Sequence, residues 1–290
     1  MSTSATPPAP ALVTIIIRSM GRPLLREAVE SVLAQDYPAV ELVVVDATGG
    51  RHPPLEPAWI ARGARLVSTG RALPRPNAAN AGLDAARGAM LGFLDDDDTY
   101  DPGHVSGLMR HHNPLRPLQV IYAGVRILDR DGRLERVQHN PYNPLMLMVN
   151  MYIQTGAALF SRGFLALGCR FDESLPVAED WDFWIQLSQY APFVRGDAVS
   201  VNYRAELGTS GMGVGGNVEE APNAPMVARV LEKWAARREM LWAPVQALVG
   251  EARTALAAGD RSRAQALSDA IFTRYQIRFA LEPEAGQPAP

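Results

Sequence analysis

Four consecutive aspartates, Asp95 to Asp98, directly follow the apolar segment Met90–Leu94. Adjacent carboxylates repel one another unless a cation neutralises them. Their oxygens are hard ligands that suit Mg²⁺ or Mn²⁺, above all where a diphosphate supplies further oxygens. A charge run of this kind also fits a solvated turn that caps a helix. Because the apolar segment predicts a buried strand that ends at the aspartates, we favour a metal-binding site.

A second pair of carboxylates, Glu179 and Asp180, precedes a segment rich in aromatic and aliphatic residues. This pattern fits the start of a helix, where acidic side chains interact favourably with the helix dipole. A carboxylate that is held rigidly at a helix start is also suited to act as a general base. The two roles are compatible with each other.

The spacing Asp95-x-Asp97-x-Thr99 has an alternative explanation. It resembles the nucleophile motif of phosphatases of the haloacid dehalogenase type, in which the first aspartate is phosphorylated and the second is the acid/base. In that family the nucleophile strand opens the fold, whereas a long α/β segment precedes Asp95 here. The only lysine, Lys233, also follows the second acidic pair rather than preceding it. We keep this phosphatase as the alternative enzyme.

Composition excludes several classes of function. The 290 residues carry a net charge of −3, so no overall basic surface is available to bind nucleic acid. The single cysteine, Cys169, excludes an internal disulfide and a zinc site of several cysteines. No apolar run approaches the ~20 residues of a transmembrane span, and Met1–Pro10 lacks the features of a secretory signal. We therefore expect a cytoplasmic protein whose membrane contact, if any, is peripheral and at the inner face.

Short β-branched strands alternate with helical segments along the first part of the chain. This alternation predicts a sheet with parallel strands and helices on both faces. Ligands bind at the carboxyl ends of the strands in such sheets. Asp46 and the four aspartates each follow a strand, so we expect them at the same edge. The predicted strands are Val13–Ile17, Glu41–Val45, Arg65–Ser68 and Met90–Leu94, and helices are predicted after Pro23 and over Asn77–Arg87.

Later parts of the chain differ in character. The strands Val120–Leu128 and Leu134–Gln138 flank a hairpin turn. The glycine-rich segment Leu207–Gly216 is expected to form a loop that closes over a bound ligand. The pattern beyond it is helical, with interruptions expected near Pro244 and Gly259. We predict a disordered tail (1–10), an α/β domain (11–220), a helical appendage (221–282) and a second disordered tail (283–290).

A series of short motifs lies between Leu12 and Ser210. These motifs are Val13–Pro23, Ala28–Gln35 with Tyr37-Pro38, Val43–Asp46, Ala78–Gly82 with Gly88, Phe93–Asp98, Phe171–Glu173 and Glu179–Asp182. In residue type and in order they resemble the family 2 glycosyltransferases of GT-A fold. The resemblance implies an α/β fold of the GT-A type with a Rossmann-like mixed sheet, followed here by the small C-terminal helical appendage.

The resemblance also implies an activity. Members of this family transfer a sugar from a nucleoside-diphosphate sugar to an acceptor hydroxyl, with inversion at the anomeric carbon. It implies a donor linked to UDP or GDP, a glycan or other hydroxyl compound as acceptor, and Mn²⁺ or Mg²⁺ as cofactor. Such transfers typically serve the synthesis of bacterial surface glycans or glycoconjugates. No enzyme nucleophile is needed, because the activated acceptor displaces the nucleotide directly.

Roles for single residues follow from the same resemblance. Asp46 would bind the nucleotide base, and Asp95 would hold the ribose or a metal-bound water. Asp97 would ligate the metal at the diphosphate, and Asp180 would be the general base. The full candidate set is Asp180 and Glu179 for catalysis, Ile17, Ser19, Asp46, Arg71, Arg75, Asn80, Asp95 and Asp96 for nucleotide-sugar binding, and Asp97, Asp95 and Glu206 for the metal.

Three positions depart from the family pattern. Ala47 stands where a second acidic residue is common. Ala79 stands where an arginine is common, so Arg71 or Arg75 is expected to serve the base or the diphosphate instead. Glu206 stands where a histidine can complete the metal shell, and a carboxylate can ligate Mg²⁺ or Mn²⁺ in its place.

These departures motivate a third interpretation, in which the chain is a glycosyltransferase-like binding module without catalysis. Asp97 and Asp180 are retained and argue against it.

Overall fold

The structure, a computed structural model, describes residues 9–204 and 220–278. Glu206 and the glycine-rich segment Leu207–Gly216 lie outside the described residues, as do most residues of the two predicted tails. The chain divides into two compact units. The first comprises the residues up to Tyr142 and Met151–Val230, and the second comprises Asn143–Asn150 and the residues from Leu231 onward. The predicted boundaries of the helical appendage stay a prediction.

The first unit is built around one mixed sheet. Its nine strands in the described part of the chain are β1 (Val13–Ser19), β2 (Val40–Asp46), β3 (Arg65–Ser68), β4 (Met90–Asp95), β5 (Thr99–Tyr100), β6 (Val120–Leu128), β7 (Leu134–Gln138), β8 (Ala158–Ser161) and β9 (Phe193–Arg204). The strand order is β3-β2-β1-β4-β8-β6-β9-β5, with β7 paired to β6. Strand β1 is parallel to β2 and β4, whereas β8 is antiparallel to β4 and β6. The predicted mixed α/β sheet is confirmed.

Helices of different length connect and extend these strands. They are α1 (Leu25–Leu33), α2 (Pro57–Ala61), α3 (Arg75–Ala85), α4 (His104–Met109), α5 (Pro144–Leu147), α6 (Gly163–Ala166), α7 (Glu179–Ser188), α8 (Glu220–Lys233), α9 (Ala235–Ala257) and α10 (Arg261–Tyr275), with a 3₁₀ helix at Thr155–Ala157. The predicted strands and helices of the first part of the chain all form, with ends shifted by at most a few residues.

Helices α1 and α3 pack on opposite faces of β1. Buried residues of α1 belong to the same apolar cluster as Ile15 and Ile17. Helix α3 lies against Ile16 instead, because side chains alternate between the two faces of a strand. This contact is so close that a Cβ atom at Gly82 would collide with Ile16. Glycine in a helix interior normally costs ~1 kcal/mol, and here it permits the close approach of helix and sheet.

The second unit is helical. Val245 of α9, Ile271 of α10 and Leu145 of α5 form its buried cluster. The interruption predicted near Pro244 is wrong, because α9 runs through this residue. Proline removes one backbone hydrogen bond, and the packing of a long helix offsets this loss. At Gly259, where φ is +81°, the chain leaves α9 as predicted.

Parallel pairing brings positions that are distant in sequence to one edge of the sheet. Ser19 of β1 lies beside Asp46 of β2, and Arg18 lies beside Asp95 of β4. The Asp96–Asp98 turn begins where β4 ends. The candidate active site is built on this edge.

Candidate active site

A cavity of about 390 Å³ lies at the carboxyl edge of the parallel strands, within the first unit. Charged side chains converge on it from the ends of β1 and β4, the starts of α3 and α7, and the end of β9. Concave sites with a few convergent polar groups are typical of ligand-binding sites. The charged residues of its wall are Arg18, Arg22, Arg75, Arg204, Asp95, Asp96, Asp97, Asp98, Glu179 and Asp180.

Arg18 connects the two acidic parts of this cavity. Its guanidinium lies 2.6 Å from Asp95 Oδ1 and 2.9 Å from Glu179 Oε1. The side chains of Arg18 and Glu179 are only 7% and 2% exposed. Burial opposes the charge of Arg18, but the carboxylates of Asp95 and Glu179 more than offset this and raise its pKa. A buried ion-pair triad therefore ties the end of β4 to the start of α7.

The two carboxylates of this triad respond to burial in opposite ways. Burial, and then repulsion from Asp180, raises the pKa of Glu179 despite the attraction of Arg18. Burial acts in the same direction on Asp95, but Arg18 and Arg75 more than offset it and lower the pKa of Asp95. Asp95 is therefore an anion that also keeps 31% of its side chain exposed. It is accessible to a ligand, whereas Glu179 is not.

Asp96 organises the turn that follows β1. Its Oδ2 accepts a hydrogen bond from the Met20 amide at 3.1 Å, and its Oδ1 accepts one from Arg22 Nε at 3.0 Å. Gly21, where φ is +70°, allows the chain to turn here. The Asp96 side chain is 2% exposed. Asp96 thus lines the cavity, but both of its carboxylate oxygens already accept hydrogen bonds from the protein itself.

Asp97 lies in a part of the cavity that disfavours its negative charge. Burial, and then repulsion from Asp95, raises its pKa to about 6, although Arg22 at 3.2 Å acts in the opposite direction. A carboxyl group with this environment gains from a nearby cation more than an ordinary surface aspartate does. The protein itself therefore leaves the negative charge of Asp97 only partly compensated.

Asp98 joins the acidic run to β9. Its Oδ1 accepts a hydrogen bond from the Arg204 amide at 2.9 Å. Burial, and then repulsion from Asp95 and Asp97, raises its pKa well above the usual range. Asp98 was predicted only as part of the run, and the structure gives it this connecting position.

Asp180 lines the same cavity from the start of α7. Its Oδ2 accepts a hydrogen bond from the Thr155 hydroxyl at 2.6 Å, and its Oδ1 accepts one from the Trp181 amide at 2.8 Å. An ionised carboxylate has about four acceptor positions, so capacity remains for a further donor. Asp180 is half-buried and lines the cavity.

Strained backbone precedes these carboxylates. Ala178, the residue before α7, has φ +61° and ψ +17°, a left-handed conformation that is uncommon for alanine. It lines the cavity. Strain of this kind persists where the surroundings fix it, and it is often found at functional sites. After the turn at Ala178 the chain enters α7, where Glu179 pairs with Arg18 and Asp180 accepts a hydrogen bond from Thr155.

Four of the predicted site residues do not line the cavity. Ile17 is fully buried in the core, and Arg71 is exposed outside the cavity. Asn80 exchanges two hydrogen bonds of 3.0 Å with the backbone of Phe171 and so fixes the segment before α7. Asp46 is buried beneath the edge, where its neighbour Ala47 lines the cavity. The predicted residues that the cavity does bring together are Ser19, Arg75, Asp95, Asp96, Asp97, Glu179 and Asp180.

Asp46 holds the loop after β2. Its Oδ1 accepts hydrogen bonds from the Thr48 amide at 2.7 Å and the Thr48 hydroxyl at 2.6 Å. Its Oδ2 accepts from the Gly50 amide at 2.8 Å and the Ser68 hydroxyl at 2.6 Å. Burial alone would raise the pKa of Asp46, but the hydrogen bonds from Ser68, Thr48 and Gly50 lower it to about 2. All its acceptor positions are used by the protein in this conformation.

Several cavity residues were not predicted from the sequence. Arg18 could have been identified from the sequence, because a charged residue at the end of a buried apolar strand requires a partner. Arg22 and Arg204 could not, since their sequence context does not distinguish them from surface arginines. Thr155 also could not, because its importance depends on a contact with a residue 25 positions later.

The carboxylates near Asp97 have the chemistry of a site for Mg²⁺ or Mn²⁺. Within the part of the chain that the structure describes, no three side chains of His, Cys, Asp or Glu are grouped to hold a metal ion by themselves. Mg²⁺ in phosphate-transfer sites is commonly bound by one or two carboxylates together with substrate phosphates. Asp95 and Asp97 fit that smaller protein contribution. Glu206, the third predicted ligand, lies outside the described residues.

Comparison with known proteins gives concordant results. The family description "Glycosyl transferase family 2" matches residues 14–171, more than half of the chain. An uncharacterised glycosyltransferase of Rickettsia felis is 27% identical over 209 residues, which cover 67% of this chain and 34% of that protein. The succinoglycan biosynthesis protein ExoO of Rhizobium meliloti is 29% identical over 170 residues, covering 53% of this chain and 49% of ExoO. The chain thus spans between a third and a half of the length of these two relatives.

A solved structure shares the fold. The crystal structure of residues 1–349 of TarS from S. aureus, in complex with UDP-GlcNAc, aligns with a TM-score of 0.54 at 14% identity. The alignment covers 96% of this chain and 98% of that structure. The predicted fold of the GT-A type is confirmed by this likeness. In the described ranges, each helix is too short or too polar to cross a bilayer.

The chain belongs to glycosyl transferase family 2. The resemblance stated from the motifs is confirmed, and the family match includes β1, β2, β4 and the acidic run. The phosphatase alternative and the non-catalytic alternative are not favoured by these comparisons.

We predict that Asp46→Asn destabilises the protein by about 2 kcal/mol or more at pH 7, because buried donors lose charged acceptors. The folded-state pKa of Asp46 is lowered to about 2, below the ~3.9 of an unfolded aspartate. The stability that the ionised Asp46 adds to the wild type is therefore fully present above about pH 5, and it is lost as the pH falls through the folded-state pKa. Urea unfolding from pH 7 down to pH 2 measures it. A stability difference that stays constant over this range would contradict the assignment.

We predict that Arg18→Met costs about 3–5 kcal/mol of stability, because it leaves Glu179 buried without its partner. The double variant Arg18→Met/Glu179→Gln removes both charges and should be more stable than Arg18→Met. Urea unfolding of the wild type, both single variants and the double variant closes the cycle. If the effects of the two substitutions simply add, the ion pair has no structural importance.

Proposed function

We propose that the chain transfers a sugar, with inversion, from a nucleoside-diphosphate sugar to an acceptor hydroxyl, with the help of Mn²⁺ or Mg²⁺. The observation that carries the proposal is that Asp95, Asp97 and Asp180 line one common cavity. Direct displacement requires both a site for the leaving diphosphate and a base for the attacking hydroxyl. Membership of glycosyl transferase family 2 supports this reaction class.

On the donor side, Asp95 and Asp97 would hold the metal, and the donor diphosphate would supply further oxygens. The raised pKa of Asp97 supports this assignment, because burial and then repulsion from Asp95 disfavour its charge, and a bound cation would oppose both effects. When bound, the cation would stabilise the negative charge that develops on the departing diphosphate. Arg75, at the start of α3 and on the cavity wall, is assigned to the same phosphates.

The nucleotide base is assigned to the end of the cavity beside Ser19 and Ala47. Asp46 would act there by fixing the loop that carries Ala47, since its oxygens already accept bonds from Thr48, Gly50 and Ser68. UDP is the first choice of nucleotide, because TarS, which shares the fold, was solved in complex with UDP-GlcNAc. GDP remains the comparison ligand.

On the acceptor side, Asp180 would be the general base. Glu179 is nearly inaccessible and is paired with Arg18, so it does not compete for the acceptor. The name of ExoO refers to succinoglycan biosynthesis, which supports a glycan as the acceptor and bacterial surface-glycan synthesis as the process. Glu206 and the closure of Leu207–Gly216 lie outside the described residues and remain expectations from the sequence.

We predict that Asp97→Ala abolishes metal-dependent nucleotide binding and leaves the fold intact. Isothermal titration calorimetry with UDP and GDP, with and without Mn²⁺, measures the effect. The wild type should bind one of the two more tightly with Mn²⁺, and the variant should lose that increment. Asp131→Asn, an exposed aspartate in the hairpin turn, is the control. Unchanged Mn²⁺-dependent binding by Asp97→Ala would refute the metal assignment.

We predict that Asp180→Asn lowers turnover by roughly 10²–10⁴-fold, the usual contribution of a positioned base. Donor affinity should change little, because Asp180 belongs to the acceptor side. Transfer, or slow hydrolysis of UDP- and GDP-sugars by water, provides the rate. Glu179→Gln is compared at equal folded fraction, since it also breaks the pair with Arg18. If Asp180→Asn remains active while Glu179→Gln is inactive, Glu179 is the base and the assignment to Asp180 is wrong.

A further inference from the structure

Thr155 is the side chain that contacts Asp180 most closely from outside α7. Its hydroxyl donates a hydrogen bond of 2.6 Å to Asp180 Oδ2. Thr155 is 6% exposed and lines the same cavity. The other oxygen of Asp180 accepts from the Trp181 amide, which is part of the same helix. The direction of the carboxylate therefore depends on one bond from its own helix and one from a separate segment.

The segment that carries Thr155 is itself fixed to the donor side of the cavity. Thr155 opens the 3₁₀ helix, and a methyl group at Gly156 would contact Leu94 of β4 and Val201 of β9, each at 3.7 Å. Leu94 directly precedes Asp95 in the chain. The 3₁₀ helix that Thr155 opens thus lies beside the end of the strand that leads into the acidic run.

A second bond ties the same segment to α7. The indole of Trp184 donates to the Ile153 carbonyl at 3.0 Å, and both residues are buried. The backbone around Thr155 is therefore fixed with respect to α7 without the Thr155 hydroxyl. Loss of the hydroxyl alone is expected to free the Asp180 side chain and to leave the surrounding backbone in place.

We propose that Thr155 is a positioning residue that orients the carboxylate of Asp180 toward the acceptor. The inference rests on the proposed function. In the transfer step the acceptor oxygen forms a bond to the anomeric carbon, and the bond from that carbon to the phosphate oxygen breaks. The electron pair leaves with the nucleoside diphosphate, and the acceptor proton passes to a free lone pair of Asp180. Thr155 keeps its proton and its hydrogen bond throughout.

The charged groups Arg18 and Glu179 both interact electrostatically with Asp180. They are bound to each other and do not touch Thr155 by any hydrogen bond described. A substitution at Thr155 therefore changes the orientation of Asp180 without removing a charge from the cavity.

The test compares Thr155→Val, Thr155→Ser and Asp180→Asn in the hydrolysis of UDP-GlcNAc, UDP-glucose and GDP-mannose with Mn²⁺. Thr155→Val keeps the shape and removes the hydroxyl, so kcat should fall about 10–100-fold, the effect of one hydrogen bond to a charged group. The KM for the donor should change less than kcat. Thr155→Ser, which retains the hydroxyl, should recover most of the activity.

Thr14→Val is the matched control. The Thr14 hydroxyl also donates at 2.6 Å to a carboxylate, that of Glu41, and Thr14 is fully buried, but it lies at the opposite end of β1. Thr14→Val should change stability and leave the kcat of the folded enzyme as in the wild type. If Thr155→Val does not fold, Thr155→Ala removes the hydroxyl in its place.

Each outcome separates the inference from the proposed function. A wild-type kcat in Thr155→Val, with Asp180→Asn inactive, would overturn the inference and leave the assignment of Asp180 as the base in place. An equal loss in Thr155→Ser and Thr155→Val would also overturn it, because packing rather than the hydroxyl would then be responsible. Full activity of Asp180→Asn, or a wild type that hydrolyses none of the three donors, would refute the proposed function itself.

Discussion

The buried guanidinium of Arg18 is the constraint on which the site depends. An arginine at the end of a fully buried strand requires anionic partners, because an unpaired buried charge is strongly destabilising. On one side it holds Asp95, the first residue of the acidic run, and on the other it holds Glu179, the first residue of α7. One buried side chain therefore links the end of β4 directly to the start of α7.

The pairing with Arg18 also distinguishes the neighbouring carboxylates Glu179 and Asp180. Glu179 is committed to the ion pair and is nearly inaccessible, whereas Asp180 lies half-buried on the cavity wall. The left-handed backbone at Ala178 sends the two side chains to different partners. Strain at this residue, which is expected to cost of the order of 1 kcal/mol, is maintained by the contacts of the residues on either side.

Most features that depend on local sequence pattern could be predicted from the sequence. The apolar runs ending in Asp46 and Asp95 predicted the strands and their common edge, because parallel strands present their ends together. The sequence was a poor guide to contacts between distant segments. Asn80 matches a family motif, yet it binds the backbone of Phe171. Asp46 also matches one, yet its oxygens are satisfied by its own loop and by Ser68. No local pattern distinguishes Thr155 from other threonines, since its partner is brought to it only by the fold.

The central claim is that one cavity holds the donor diphosphate with its metal on the β4 side and the base on the α7 side. The most direct measurement is anomalous diffraction from crystals of the protein grown with Mn²⁺ and UDP. The account predicts an anomalous peak between the UDP diphosphate and the carboxylates of Asp95 and Asp97, with Asp180 facing it across the same cavity. UDP bound away from this cavity, or bound within it with Mn²⁺ at carboxylates other than these two, would contradict the account.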